Sequence, residues 1–151
     1  MALKEQIQND IKAAMLSGNR FVADTLSSLK AAILNEEVAL GQRESGLADE
    51  AIEKVIAREV KKRAEAAKMY RDNNRAELAE PEEREAEILG QYLPEQLDEA
   101  AVQALVEAKI VALGVSGPQA MGQVIGAVKS EAGSTVDGAM LARITKEQLS
   151  K

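Results

Sequence analysis

The tetrad Ser27-Ser28-Leu29-Lys30 and the carboxylate pair Glu82 and Glu85 are the groups in this sequence whose types and spacing could do chemistry. A Ser/Lys set serves amidases when the amine deprotonates a serine held beside an oxyanion hole. Here the tetrad falls inside a helical pattern, where Ser28 and Lys30 point to different sides. It reads as structural. Glu82 and Glu85 share one helix face and have the types for a metal or an acid–base pair. No His and no second carboxylate helix accompanies them, so pairing with Arg63, Arg71 or Arg75 is the expectation. The chain of 151 residues contains neither Cys nor His. Disulfides, thiol catalysis, Ser-His-Asp chemistry and Cys/His zinc sites are thereby excluded. No Gly-rich phosphate loop occurs. No catalytic residue, no metal and no cofactor is assigned.

What remains is charge. The net charge is -6, so the molecule as a whole does not attract nucleic acid. Locally the balance reverses. Residues 54–75 carry eight bases against three acids, whereas residues 77–99 carry nine acids and one base, Arg84. At helical spacing Lys54, Arg58, Lys61, Lys62 and Lys68 form a row that could meet several phosphates. A solvated face, or neutralisation by the acidic segment folding back, outweighs nucleic acid on charge alone. Glu59 and Arg63 have the i,i+4 spacing of an ordinary helix pair. Three aromatic residues, Phe21, Tyr70 and Tyr92, are too few for reading single-stranded bases by stacking. Recognition of folded RNA by shape and phosphate is the form that survives.

These residues must be positioned by helices. Leu3, Ile7, Ile11 and Met15 make one apolar stripe, and Val22, Leu26, Leu29 and Ile33 a second. Gly18 suits the left-handed stop between them, Asn19 the next cap. A third helix begins near Asp49 and reaches Asp72, burying Ile52, Ile56, Val60, Ala67 and Tyr70. Asn73-Asn74 breaks it. Pro81 fits the first turn of a fourth helix carrying Ile88, Leu89 and Tyr92, which Pro94 ends. Asp98 caps a fifth helix, with Leu97 and Val102 as a staple. Ser116 and Gln119 have capping-box spacing for a sixth, and Asp137 caps a last one. Gly122 and Gly126 suit close helix–helix approach. No alternating strand pattern is present. The fold class is all-α: a four-helix unit over residues 1–93 and a three-helix unit over 94–151. Tyr92, Leu93 and Pro94 form the seam between them. No signal-like or membrane-spanning stretch is seen, so a cytoplasmic protein is expected.

The stretch Glu59-Val60-Lys61-Lys62-Arg63, Tyr70, Asn74-Arg75-Ala76-Glu77-Leu78, Glu82, Glu85 and Tyr92-Leu93-Pro94-Glu95-Gln96-Leu97 resembles the YqeY family. So does Met121-Gly122-Gln123-Val124-Ile125-Gly126, followed by Val136-Asp137-Gly138. The same pattern is similar to the C-terminal tail of the GatB subunit of aspartyl/glutamyl-tRNA amidotransferase. The resemblance spans nearly the whole chain. It implies an all-helical protein of two units and a tRNA-gripping role. It also implies a carbon–nitrogen ligase label with glutamine as nitrogen donor, which belongs to the larger enzyme. The chain departs from the family pattern at Ser27 (often Arg), at Ala120 (often Asp), and at Thr135 and Ala139 (often basic). Lys129 is the base that remains near that loop.

The expected function is a non-catalytic accessory protein that binds tRNA or other structured RNA. The candidate contacts are Lys54, Arg58, Lys61, Lys62 and Lys68, with Lys129. The alternative is an adaptor docking on a translation or amidotransferase complex through apolar surface of the C-terminal unit. A stand-alone amidotransferase ranks last.

Overall fold

Local chemistry at the helix ends explains most of the boundaries in the computed structural model, which describes residues 2–151 (for Ser134, the backbone only). Gly18 takes φ +75° and Asn19 accepts a hydrogen bond from the Val22 N–H, closing α1 (Leu3–Leu16) and opening α2 (Arg20–Ala39). The third helix, α3, runs Asp49–Asp72, with Asp49 and Glu50 in its first turn against the positive end of the helix dipole. Asn74 adopts φ +59°, which an asparagine tolerates better than most residues. The chain there reverses into α4 (Ala76–Gly90). Asp98 accepts from Ala101 N–H to start α5 (Glu99–Leu113), and Asp137 accepts from Met140 N–H to start α7 (Gly138–Leu149). Between them lies α6 (Met121–Ala132), with short 3-10 turns at Pro118–Ala120 and Gly133–Thr135. The protein is all-α, with no strand among the described residues.

The chain divides into two compact units, Met1–Leu93 and Pro94–Lys151. In the first, Ile7 and Ile11 of α1, Leu26, Leu29 and Ile33 of α2, Ile52, Val55 and Ile56 of α3, and Leu89 of α4 are buried together. Helices α3 and α4 pack along much of their length, and α1 lies against α2. In the second, Val102 and Val106 of α5, Val124 and Val128 of α6, and Leu141, Ile144 and Leu149 of α7 form a separate core. Leu97 packs, partly buried, against that core. No single helix is long and apolar enough to cross a membrane.

Several expectations are corrected. Met15 is 65% exposed and Ala14 is buried instead, because a 3.6-residue period moves the stripe from Ile11 to position 14. Leu113, seven residues after the buried Val106 and so in its helical register, is exposed. The fourth helix ends at Gly90, four residues before Pro94, and Tyr92 follows it. Ser116 caps nothing: Gly117 adopts φ +82°, a 3-10 turn follows, and the Gln119 amide donates back to the Ser116 carbonyl. Gly122 and Gly126 face open space, with no neighbour that a Cβ would meet, so neither serves a close helix crossing within the unit.

Pro81 is the sixth residue of α4, not part of its first turn. Its ring removes the N–H that would reach the Glu77 carbonyl one turn back. The position is exposed, so little packing is lost on substitution. Pro81→Ala is expected to stabilise the first unit by about 2 kcal/mol, the part of the ~3 kcal/mol proline penalty left after its stiffening of the unfolded chain is lost. A urea titration checks this; a lower midpoint would show that the ring is part of the packing.

Candidate nucleic-acid interface

Lys54, Arg58, Lys61, Lys62 and Lys68 are all exposed on α3. The helix turns 100° per residue, so all five fall within about a third of its circumference. Glu65 and Asp72 share that face by the same arithmetic, and both are exposed. The charge on the face is therefore partly compensated. Arg58 pairs with Glu36 of α2 at 3.0 Å, and Lys68 with Asp72 at 3.6 Å. Lys54, Lys61 and Lys62 enter no ion pair among the described residues. From Lys54 to Lys62 is about 12 Å of helix.

The other bases of this stretch are used inside the fold. Arg63 lies nine residues after Lys54, half a revolution away, and belongs to the buried side of α3. Its guanidinium is 11% exposed and donates to Glu59 at 3.0 Å, to Glu85 of α4 at 3.2 Å and, at 3.5 Å, to the Ser28 hydroxyl of α2. Three helices meet at this one fork. Arg71 holds Glu83 of α4 with two parallel hydrogen bonds, and Arg75 pairs with Glu77 at 2.7 Å. The acidic fourth helix thus neutralises three arginines of the basic stretch and leaves three lysines. Arg63→Ala strands Glu59 and Glu85 at a half-buried junction, so a loss of about 1–2 kcal/mol is expected, visible as a lower denaturation midpoint. An unchanged midpoint would show the fork to be ornamental.

The Ser/Lys tetrad is dispersed. Ser28 meets Arg63, whereas Lys30 donates to the Gln8 side chain of α1. Of the two carboxylates, Glu85 is taken by Arg63. No group of three or more metal-ligating side chains occurs among the described residues. Lys129 is exposed in the last turn of α6, in the second unit. Tyr92 and Leu93 pack on the core of the N-terminal unit, and Pro94 is exposed. The Tyr92 hydroxyl donates to Asp10 of α1 at 2.5 Å; burial first, and then that carboxylate, push its pKa well above the usual tyrosine range.

One buried charge escaped the sequence reading. Glu37 of α2 is fully buried, yet its carboxyl is held below the usual glutamate range. The chief cause is the Lys4 ammonium, which donates to both oxygens at 3.1 and 2.8 Å. Burial works against this, and the Leu47 N–H, donating at 3.2 Å, adds to it. Glu37 thus ties α1 to α2 and to the loop before α3. The signal was available: Glu37 is the next turn of the stripe Val22, Leu26, Leu29, Ile33, and an acid in an apolar register needs a partner.

A family model described as Yqey-like protein matches residues 4–149. The chain belongs to the YqeY-like family. Membership covers both helical units of this YqeY-like chain, and with them the basic face of α3 and the Tyr-Leu-Pro segment. The chain is also 31% identical over 92 residues, 61% of its length, to altered inheritance of mitochondria protein 41, mitochondrial, from Clavispora lusitaniae (strain ATCC 42720). It spans about half the length of that relative, 52%.

Proposed function

We propose that this YqeY-like protein is a non-catalytic accessory protein that binds structured RNA, tRNA foremost, through phosphate contacts. The observation that supports this reading is the run Lys54, Lys61 and Lys62: three exposed ammonium groups without counter-ions on one rigid helix, in a chain whose other bases there are paired with acids. Arg58, within the run, and Lys68, beyond it, can exchange their carboxylate partners, half-buried Glu36 and exposed Asp72, for phosphate. Lys129 adds a second contact from the C-terminal unit. A scarcity of aromatic side chains directs the recognition toward backbone and shape. The net charge of -6 opposes it, so the expected affinity is about micromolar or weaker. Salt titration of tRNA binding tests the reading.

A second reading has its own observation. Val111 of α5 is 80% exposed and Leu113 39%, on the C-terminal unit. An adaptor that docks on a translation or amidotransferase complex would use them. In that case Val111→Glu weakens recovery of partner proteins and leaves RNA binding unchanged. Glutamine-dependent carbon–nitrogen ligation, the label attached to the family resemblance, has least support, since Ser28 and Lys30 are turned to different partners.

A further inference from the structure

The first unit carries a concavity that the RNA reading does not use. A groove of about 700 Å³ runs between α1 and α2. Its volume lies within the usual range of small-molecule sites. Ile7, Ala31, Ile33 and Leu34 supply an apolar floor and wall. Leu34 remains 38% exposed beside it. The polar groups at the rim are unbalanced. Lys4 is engaged by Glu37, so that pair is neutral. Lys30 donates to the neutral Gln8 amide, and neither Lys30 nor Arg43 enters an ion pair among the described residues. Glu5 is the other acid lining the groove. Three cations against two acids leave the lining one positive charge in excess, so this apolar trough with a net-positive edge complements an anion that carries an apolar chain.

We infer that the α1–α2 groove binds a free, monomeric amphiphilic carboxylate, its chain along Ala31 and Leu34 and its carboxylate at the cationic rim that Lys30 and Arg43 supply. The apolar floor argues against a bare inorganic anion, which would leave that surface wet. The excess positive charge at the edge favours an anionic head over a neutral hydrocarbon. The groove rather than a flat face argues for single chains over a bilayer surface.

The probes are hexanoate, octanoate and decanoate, below their micellar concentrations, titrated into the full chain by calorimetry and by amide NMR. The expected result is saturable binding that tightens about two- to fourfold for each added methylene, with shifts confined to α1, α2 and residue 43. Decyltrimethylammonium should bind at least tenfold more weakly than decanoate. Leu34→Glu and, independently, Ala31→Trp should each weaken decanoate at least tenfold. Lys30→Glu with Arg43→Gln should erase the preference for the anion. All four substituted side chains are exposed, the buried Glu37 is left intact, and thermal melts confirm folding. Absence of saturable decanoate binding, equal binding of the cationic chain, or indifference to both Leu34→Glu and Ala31→Trp overturns the inference. So does flotation with phosphatidylcholine vesicles by a chain that takes up no monomeric decanoate.

Discussion

Glu37→Ala destabilises the N-terminal unit by about 2–4 kcal/mol, the range for breaking a buried ion pair that also holds a backbone N–H. The loss has three parts. The Leu47 N–H forfeits its acceptor, the Lys4 ammonium its partner, and the space left under the loop before α3 is not refilled. Lys4 is 45% exposed and can return to water, which keeps the effect below that of a fully enclosed pair. Glu37→Gln keeps an acceptor for Leu47 and costs less, about 1–2 kcal/mol. Replacing both partners, Lys4→Met with Glu37→Leu, should cost clearly less than the sum of the single changes, because no charge is then left unpaired.

The same residue sets a pH dependence. Its carboxyl lies below the usual glutamate range in the folded state. The unfolded chain therefore binds the proton first, and the stabilisation is fully present above the ordinary glutamate value of about 4.3. It is lost as the pH falls from there through the lower folded value. Denaturation midpoints followed from neutrality into acid should fall more steeply for the wild type than for Glu37→Gln. Parallel curves would show that the charge of Glu37 contributes nothing.

The all-α fold was legible because its determinants are local. Asn19, Asp98 and Asp137 each cap through a bond to an N–H three residues on, and the spacing of Ile52 and Ile56 alone marks a buried face. The failures share a cause. Whether Glu37 is buried depends on Lys4, 33 residues away, and whether Arg63 turns inward depends on Glu85 and Ser28 on two other helices. Helical periodicity does not specify which neighbour meets a stripe. The exposed basic face of α3 could be drawn from spacing. Its reduction to Lys54, Lys61 and Lys62 could not, since Glu36, which takes Arg58, reaches it from another helix.

The second large effect belongs to that face. Lys61→Glu with Lys62→Glu replaces two unpaired cations by anions in the centre of the run and brings residue 61 beside Glu65 as a like-charge i,i+4 pair. Binding to every tRNA should fall at least tenfold, and by similar factors, since phosphate contacts carry no sequence information. Both side chains are exposed, so folding should change by about 0.5 kcal/mol or less for each. Arg63→Ala provides the contrast: it removes a base from the same helix but from its buried side, and should alter stability far more than RNA affinity.

Salt titration of tRNA binding by the wild type and by the Lys61→Glu, Lys62→Glu double variant measures the central claim directly. If about four phosphates are neutralised, wild-type affinity should fall roughly 50- to 150-fold between 50 and 200 mM salt. The double variant should bind more weakly at each point, with a slope shallower by about two ions. Wild-type binding that ignores salt, or a variant whose curve overlies the wild type, would contradict the account.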